Sequence, residues 1–516
     1  MTRALTLGLL LAVIAALALR CPQLAVRPMH NDEGLNAIKL RTLWEKGSYQ
    51  YDPQEFHGPT LPYITLAWVK LTGVADFAQL NEIQLRAVTV IFGLGLILLL
   101  PLVADGLGPR ATICTAFLTA VSPAMVFYSR YYIHEMLLVF FAFLALAAGW
   151  RYTRSRKIGW ALLAGAAMGL MQATKETFVL TLAAAAAALA LTALWNRASE
   201  SNLDKFQYNV KHIIAALIAW FVVVIVLFSS FFTNAQGPLD SVRTYLPWLH
   251  RVGGASPHIH PWGFYLERVV FFHPGKGPIW SEGLILGLAI VGAVAAFLRR
   301  GIAEGRAGFV RFLAFYTFIL TVIYSGIDYK TPWCLLNFWH GMILLAGVGC
   351  LALIHWLRAL SLKFAMSFGL LAGAAQLACQ AWQAGVTYAS APANPYVYAQ
   401  TAPDILNLME RVNGVARMNT QKDQMVIKVM APESEYGPLP WYLRGFAHVG
   451  FWGELAPDPY ASVLIVSTKF GATLDAKGTH VMTGIFELRP QVFFELYVES
   501  NLWNSYVSVP KARTQP

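Results

Sequence analysis

Two adjacent acids and three scattered cations are the residues best suited to do chemistry. In His30-Asn31-Asp32-Glu33-Gly34 the carboxylates stand side by side, so one can act as general base while its neighbour orients a partner, provided burial lifts the pKa toward working pH. The plainer alternative is a solvated acid pair in the first turn of a helix, where the helix dipole favours negative charge. Arg130, Lys175 and Lys330 suit a phosphate or diphosphate leaving group, Arg by bidentate contact and Lys as a point charge; each alone could equally snorkel to lipid headgroups. Glu135 is either a second acid or, with His134, a metal ligand, although adjacent residues on a helix point about 100° apart and rarely share one ion. Glu176 follows Lys175, and the two can neutralise each other. His30, His57, Tyr63, Glu135 and Glu176 complete the set as candidate substrate contacts. The histidines at 57, 258, 260 and 273 lack metal-ligand spacing, His258-x-His260 being the best pair. Gly253-Gly254 is too short for a phosphate loop, and no P-loop or dinucleotide fingerprint occurs. Energy for a reaction must therefore arrive in an activated donor, one linked to lipid.

The elements that position these residues are membrane helices. Of 516 residues, 57% are hydrophobic and only 13% charged, whereas a soluble chain carries about 25% charged residues. That excludes a soluble enzyme. Apolar runs near 5–20, 83–104, 111–128, 131–149, 158–174, 177–195, 211–231, 282–298, 309–326, 335–354 and 364–385 predict about eleven spans. The first reads as an uncleaved anchor, because Arg20 stands where signal-peptide cleavage needs a small residue. Basic residues gather in alternate loops: Arg151 to Lys157, then Arg197, Lys205 and Lys211, then Arg299 to Arg311, then Arg358 and Lys363. The net charge of +11 thus reads as membrane orientation, with those loops and the N-terminus cytoplasmic, and no nucleic-acid partner is expected. Five cysteines, three of them inside apolar runs, give no disulfide framework.

The opposite, outer side receives the loops 21–82 and 232–281, the turns carrying Arg130, Lys175-Glu176 and Lys330, and everything after 386. Charges placed deep in a membrane helix cost on the order of 2.5–3.5 kcal/mol each, so several at one edge point to a polar cavity there. The apolar stretch 60–75 is short for a span and is expected along the interface. A predicted helix at 403–416, strands at 425–430, 461–467, 482–488 and 492–498, and a further helix near 439–446 make 386–516 a small α/β domain. The expected fold is an α-helical polytopic membrane protein, 1–385, with a C-terminal α/β extracytoplasmic domain, 386–516.

Several strings extend these readings. His30-Asn31-Asp32-Glu33-Gly34, Tyr49-Gln50-Tyr51-Asp52-Pro53 and His57-Gly58-Pro59-Thr60-Leu61-Pro62-Tyr63 resemble the first outer loop of the GT-C membrane glycosyltransferases. Within them the sequence is most similar to the family related to protein O-mannosyltransferases and labelled flippase-activity-associated proteins. Ser129-Arg130-Tyr131, Thr174-Lys175-Glu176, Lys330-Thr331-Pro332-Trp333 and Pro440-Trp441-Tyr442-Leu443-Arg444 carry the resemblance along most of the chain. It implies transfer of a sugar from a polyprenyl-phosphate donor to an acceptor hydroxyl on a glycan, protein or lipid, with inversion, at the outer face of the cell (inner) membrane. Asp32 would be the base, Glu33 its neighbour in acceptor positioning, and Arg130, Lys175 and Lys330 the donor-phosphate contacts. His57-Gly58-Pro59 replaces the Lys-Pro-Pro string of the aminoarabinose transferase relatives, which leaves the donor head group open. A divalent metal also stays open, because metal use varies across the superfamily. The alternative functions are a flippase or transporter of lipid-linked oligosaccharide and a non-catalytic protein of envelope assembly. A transporter needs sites near the midplane, whereas the middles of these spans are nearly free of charge.

Overall fold

The structure, a computed structural model, describes residues 2–54, 57–199, 209–252, 258–419 and 425–508. Lys205 and Gly253-Gly254 lie outside them. Among the described residues eight helices are long and apolar enough to cross a membrane, or nine if Pro109–Val121 and Pro123–Ser129, bent by 58°, form one broken span. The bend has a local cause. Pro123 offers no N–H to the preceding turn, and Ser122 caps the second segment by accepting the Met125 N–H at 3.4 Å.

Two further apolar helices, Ile158–Gln172 and Gly283–Leu298, coincide with sequence segments read as spans. At 15 and 16 residues they extend about 23 Å, less than the ~30 Å hydrocarbon core. Each is therefore too short to cross as helix alone. Thr60–Leu71 has 12 residues, about 18 Å of helix, and is not long enough to span either.

Many of these helices present apolar side chains outward: Ile214, Ile218 and Phe221 on Val210–Phe228 are 50%, 57% and 59% exposed. A stripe of this kind demands lipid. This is an integral membrane protein. Where helices meet, small residues let backbones touch. A Cβ on Gly292 would lie 2.1 Å from the Leu345 carbonyl oxygen, and one on Gly349 would lie 1.9 Å from that of Leu288, so Gly283–Leu298 and Leu336–Trp356 pack backbone to backbone.

The chain forms two compact units. The first comprises Met1–Leu24, Thr42–Leu71 and Ile83–Tyr398; the second comprises Ala25–Arg41, Thr72–Glu82 and Ala399–Pro516. The second unit thus takes its C-terminal part from 399 onward, where 386 was the boundary expected, and adds two stretches of the segment 21–82.

Its centre is a five-stranded sheet of β1 (Val426–Met430), β2 (His448–Trp452), β3 (Val463–Ser467), β4 (His480–Arg489) and β5 (Val492–Glu499), in the order β2-β1-β3-β5-β4. The pairs β1–β2 and β1–β3 are parallel, with Ile427 opposite Val449 and Val463, and β3–β5 and β4–β5 are antiparallel. The run Val463-Leu464-Ile465-Val466-Ser467 is buried throughout, as a central strand covered on both faces requires. Helix Asp404–Met418 buries Ile405, Leu408, Met409, Val412, Val415 and Ala416, a 3–4 residue period that lays one stripe on the apolar core. The helix expected at 439–446 is reduced to Leu439–Tyr442, and β2 was not expected. Its sequence, His-Val-Gly-Phe-Trp, carries a glycine in mid-strand and no clear alternation, so periodicity had nothing to register.

Candidate active site

In the second unit the acid pair opens helix Asn31–Lys46. His30 is its N-cap: the His30 carbonyl accepts the Gly34 N–H at 2.9 Å, and His30 Nδ1 accepts the Asp32 N–H at 3.1 Å. Glu33 reaches back to accept the His30 N–H at 3.0 Å, which completes the reciprocal pattern of a capping box. Its other oxygen takes Arg27 Nη2 at 3.3 Å, and the carboxylate is fully buried. Since Nδ1 is an acceptor, the His30 ring is neutral with its proton on Nε2, an assignment made from the hydrogen bonds. The 3.8 Å separation from Asp32 Oδ1 is then proximity and not an ion pair.

The two acids have different surroundings. Glu33 is fully engaged in holding the first turn, whereas the Asp32 side chain is 40% exposed and extends from the positive end of the helix dipole. Arg489 lies within electrostatic reach of Asp32. The segment Pro440-Trp441-Tyr442-Leu443-Arg444 holds this region in place: the Tyr442 hydroxyl accepts the Met29 N–H at 2.8 Å, Trp441 Nε1 donates to Glu82 at 2.8 Å, and the Arg444 guanidinium stacks 3.7 Å over the Trp441 ring. Trp441 is completely buried, so its ring belongs to the core of this unit.

In the first unit the polar residues form a second constellation. The turn between Ile158–Gln172 and Phe178–Ser199 carries Lys175 and Glu176, and residues 57–60 dock on it. Gly58 N–H donates to the Thr174 carbonyl at 3.1 Å, and Thr60 N–H to that of Ala173 at 3.0 Å. A Cβ at Gly58 would sit 2.0 Å from the Ala173 oxygen, so only glycine permits this approach. Docking brings His57 Nδ1 to 3.5 Å from Glu176 and its ring to 4.7 Å from that of His134. Lys175 Nζ is ion-paired with Glu135 and lies 4.0 Å from Cys334 Sγ. Lys175, Glu135 and Glu176 are all buried.

Charge balance sets their protonation. Burial alone would push the Glu176 carboxyl up, but His57 and Lys175 outweigh it and hold the group below the usual carboxylate range. Burial opposes the Lys175 ammonium, yet Cys334, Glu135 and Glu176 keep it well above its ordinary value. A depressed carboxylate stabilises the folded state above its unfolded pKa of about 4.3, and that contribution is lost as pH falls through the folded value. A raised lysine stabilises below about pH 10.4 and loses its contribution only above that. Glu176→Gln is therefore expected to flatten the acid limb of a melting-temperature profile below about pH 5, while the alkaline limb set by Lys175 is reduced only in part because Glu135 still pairs with it. An unchanged acid limb would remove Glu176 from this account.

Lys330 lies in the loop before Leu336–Trp356. Its Nζ donates to the His260 carbonyl at 2.8 Å, its N–H donates to that of His258 at 2.8 Å, and an isolated bridge joins Ile259 to Tyr329. Burial draws the ammonium down, with Asp328 opposing. His258 Nδ1 and His260 Nε2 converge on the Tyr398 hydroxyl at 2.7 and 2.9 Å. Among the described residues no three His, Cys, Asp or Glu side chains gather to hold a metal ion. The His-x-His pair is accounted for by one phenol.

Two sequence candidates have other roles. The Arg130 guanidinium donates to the carbonyls of Arg20, Pro22, Gln23 and Gly385 at 2.7–3.0 Å and is buried. These oxygens terminate neighbouring helices, where a cation is favoured, so Arg130 ties helix ends together where donor-phosphate contact was expected. Tyr63 hydrogen-bonds Ser230 Oγ at 2.6 Å and packs its ring 5.2 Å from Phe231. Sequence reasoning passed over Arg27, Cys334, Tyr398 and Arg489. Only Cys334, next to Lys330-Thr331-Pro332-Trp333, had a signal within reach.

Residues 61–235 match the model of the family described as dolichyl-phosphate-mannose-protein mannosyltransferase. No curated protein matches the sequence. The apo crystal structure of ArnT from Cupriavidus metallidurans matches with a TM-score of 0.63 at 16% identity, over 97% of this chain and 99% of that one. This chain has the GT-C fold. The same ArnT bound to undecaprenyl phosphate gives 0.61 at 16% identity over 96% and 98% of the two chains. The archaeal oligosaccharyltransferase AglB from Archaeoglobus fulgidus, in complex with an inhibitory peptide and a dolichol-phosphate, gives 0.54 at 12% over 98% and 77%. In this GT-C fold the membrane helices lie in the first unit and the sheet in the second.

Proposed function

We propose that the protein is a membrane glycosyltransferase that moves a sugar from a polyprenyl-phosphate-linked donor to an acceptor hydroxyl with inversion, Asp32 serving as base. The observation that carries this reading is the division of labour in the acid pair: Glu33 is locked into the capping box, which leaves Asp32 as the exposed carboxylate of the two. The family match and the undecaprenyl phosphate bound by ArnT support a lipid-linked donor. Asp32 accepts the proton of the acceptor hydroxyl as its oxygen bonds the anomeric carbon, and the C–O bond to phosphate breaks with the electron pair leaving on the phosphate. Lys330 and Lys175 supply positive charge for that phosphate. Lys330 is the more responsive of the two: its ammonium is held below its usual range, and an incoming phosphate restores it. Glu135 and Glu176 keep Lys175 charged, and His57 stations Glu176. Arg130 acts on this machinery only by fixing helix ends. The outer side of the cell membrane is the proposed location, with the basic loops cytoplasmic.

The test is the configuration of the product made in proteoliposomes from a polyprenyl-phosphate sugar. A single displacement predicts an anomeric centre opposite to that of the donor. Retention would require a covalent intermediate and would contradict Asp32 as base.

A further inference from the structure

At the other end of the first unit is a cavity of about 550 Å³ that the proposed reaction does not use. It lies where the start of helix Arg3–Arg20, the turn into Pro109–Val121, the loop at 301–303 with Arg306 in the first turn of helix Glu304–Gly326, and the last turns of Leu336–Trp356 come together. Its size is that of a ligand site, and its wall is largely aliphatic, with Leu5, Leu107, Ile113, Ile302, Val348 and Leu351 lining it. The charged residues in the wall are Arg110 and Arg306, both cationic.

Among the residues whose side chains are described, the acid beside Arg306, Asp105, is already engaged. Asp105 receives Trp150 Nε1 at 2.8 Å and Arg151 at 3.1 Å, with Arg154 at 3.7 Å. Arg306 Nε donates to the Asp105 carbonyl, not to its carboxylate, at 3.2 Å. The Asp105 carboxylate therefore does not pair with Arg306, and two guanidinium groups stand in the cavity wall. From Cys334, beside Lys175, to Leu351 is 17 residues along one continuous helical stretch, about 25 Å. The cavity is therefore separate from the lysines assigned to the donor. It also sits at the end of the bundle that carries Arg299 and Arg300, the face that basic residues mark as adjoining anionic lipid.

We propose that this cavity binds one anionic glycerophospholipid, with acyl chain against the aliphatic wall and phosphate against Arg110 and Arg306. An aliphatic wall under a pair of guanidinium groups fits a chain joined to a phosphate. It fits neither a free anion, which has no use for the wall, nor a zwitterionic lipid, whose ammonium would meet two arginines.

Native mass spectrometry of the detergent-purified full chain, exposed in turn to phosphatidylglycerol, phosphatidylcholine and inorganic phosphate, tests it, with melting temperature followed in parallel. The wild type is expected to retain one phosphatidylglycerol and to be stabilised by it, with neither effect from phosphatidylcholine. Arg110→Gln with Arg306→Gln should lower retention by roughly tenfold or more, since two charged contacts are removed. Ala4→Trp, which fills the cavity and leaves both arginines, should do the same; it decides the matter if the double variant melts early without lipid. Equal retention of the two lipids, undiminished retention in Ala4→Trp, or equal stabilisation by inorganic phosphate would overturn the proposal. Sugar transfer in these variants reads a different site, so its loss or survival leaves this assignment unaffected.

Discussion

Asn in place of Asp32 is expected to slow sugar transfer by about 10²–10⁴-fold, the range a positioned general base contributes, with little change in melting temperature. The reason for expecting the two readouts to part lies in the contacts. What Asp32 gives the fold is its backbone N–H to His30 Nδ1, and Asn retains that; its carboxylate is partly exposed and adds only proximity to the ring. Glu33→Gln should behave in the opposite sense. Its carboxylate takes the His30 N–H and Arg27 while fully buried, so loss of charge there is expected to cost about 1–3 kcal/mol of stability. Any effect on transfer would then follow from a loosened first turn. Full transfer by Asp32→Asn would remove the base from the mechanism.

Lys175→Met is expected to destabilise the protein by about 3–5 kcal/mol, because it strands the Glu135 carboxylate in a buried site without its cation. Glu135 and Lys175 are 2% and 6% exposed, so water offers the stranded charge little relief. Adding Glu135→Leu should recover most of that loss, since a buried pair replaced by apolar groups is close to neutral. Transfer should not return with it. A chemical melt of the two variants beside a transfer assay separates the structural share of Lys175 from its share in the reaction. Recovery of both stability and transfer in the double variant would show that the lysine serves only the fold.

Much of this architecture is legible in the sequence because membrane helices and amphipathic elements announce themselves locally. The helix read at 403–416 is Asp404–Met418, and the strand read at 425–430 is Val426–Met430, each marked by periodicity within one window. Composition likewise marks the spans, apart from the two helices that stop short of the membrane's thickness. The sites are less legible, because their partners are distant in the chain. His57 and Lys175 face each other across 117 intervening positions only because Gly58 admits the Ala173 carbonyl. Arg130 reads as a phosphate ligand until the helix ends it ties, near 20 and 385, are seen beside it. Tyr398 follows the last apolar run with nothing around it to predict two histidines. Glu33 reads as Asp32's equal until Arg27 is placed against it. Residue types thus pointed to acid, base and phosphate chemistry, but which side chains are free for it depends on hydrogen bonds that span the chain.

The central claim is that sugar leaves the lipid. A polyprenyl-phosphate sugar labelled separately in its sugar and its lipid, supplied to proteoliposomes containing the wild-type chain and an acceptor pool, tests that directly. The sugar label is predicted to move to acceptor while the lipid label remains in the membrane as polyprenyl phosphate, and both changes should fade with Asp32→Asn. If the two labels stay joined and cross the bilayer together, the protein is a transporter and the roles given to Asp32, Lys175 and Lys330 are wrong.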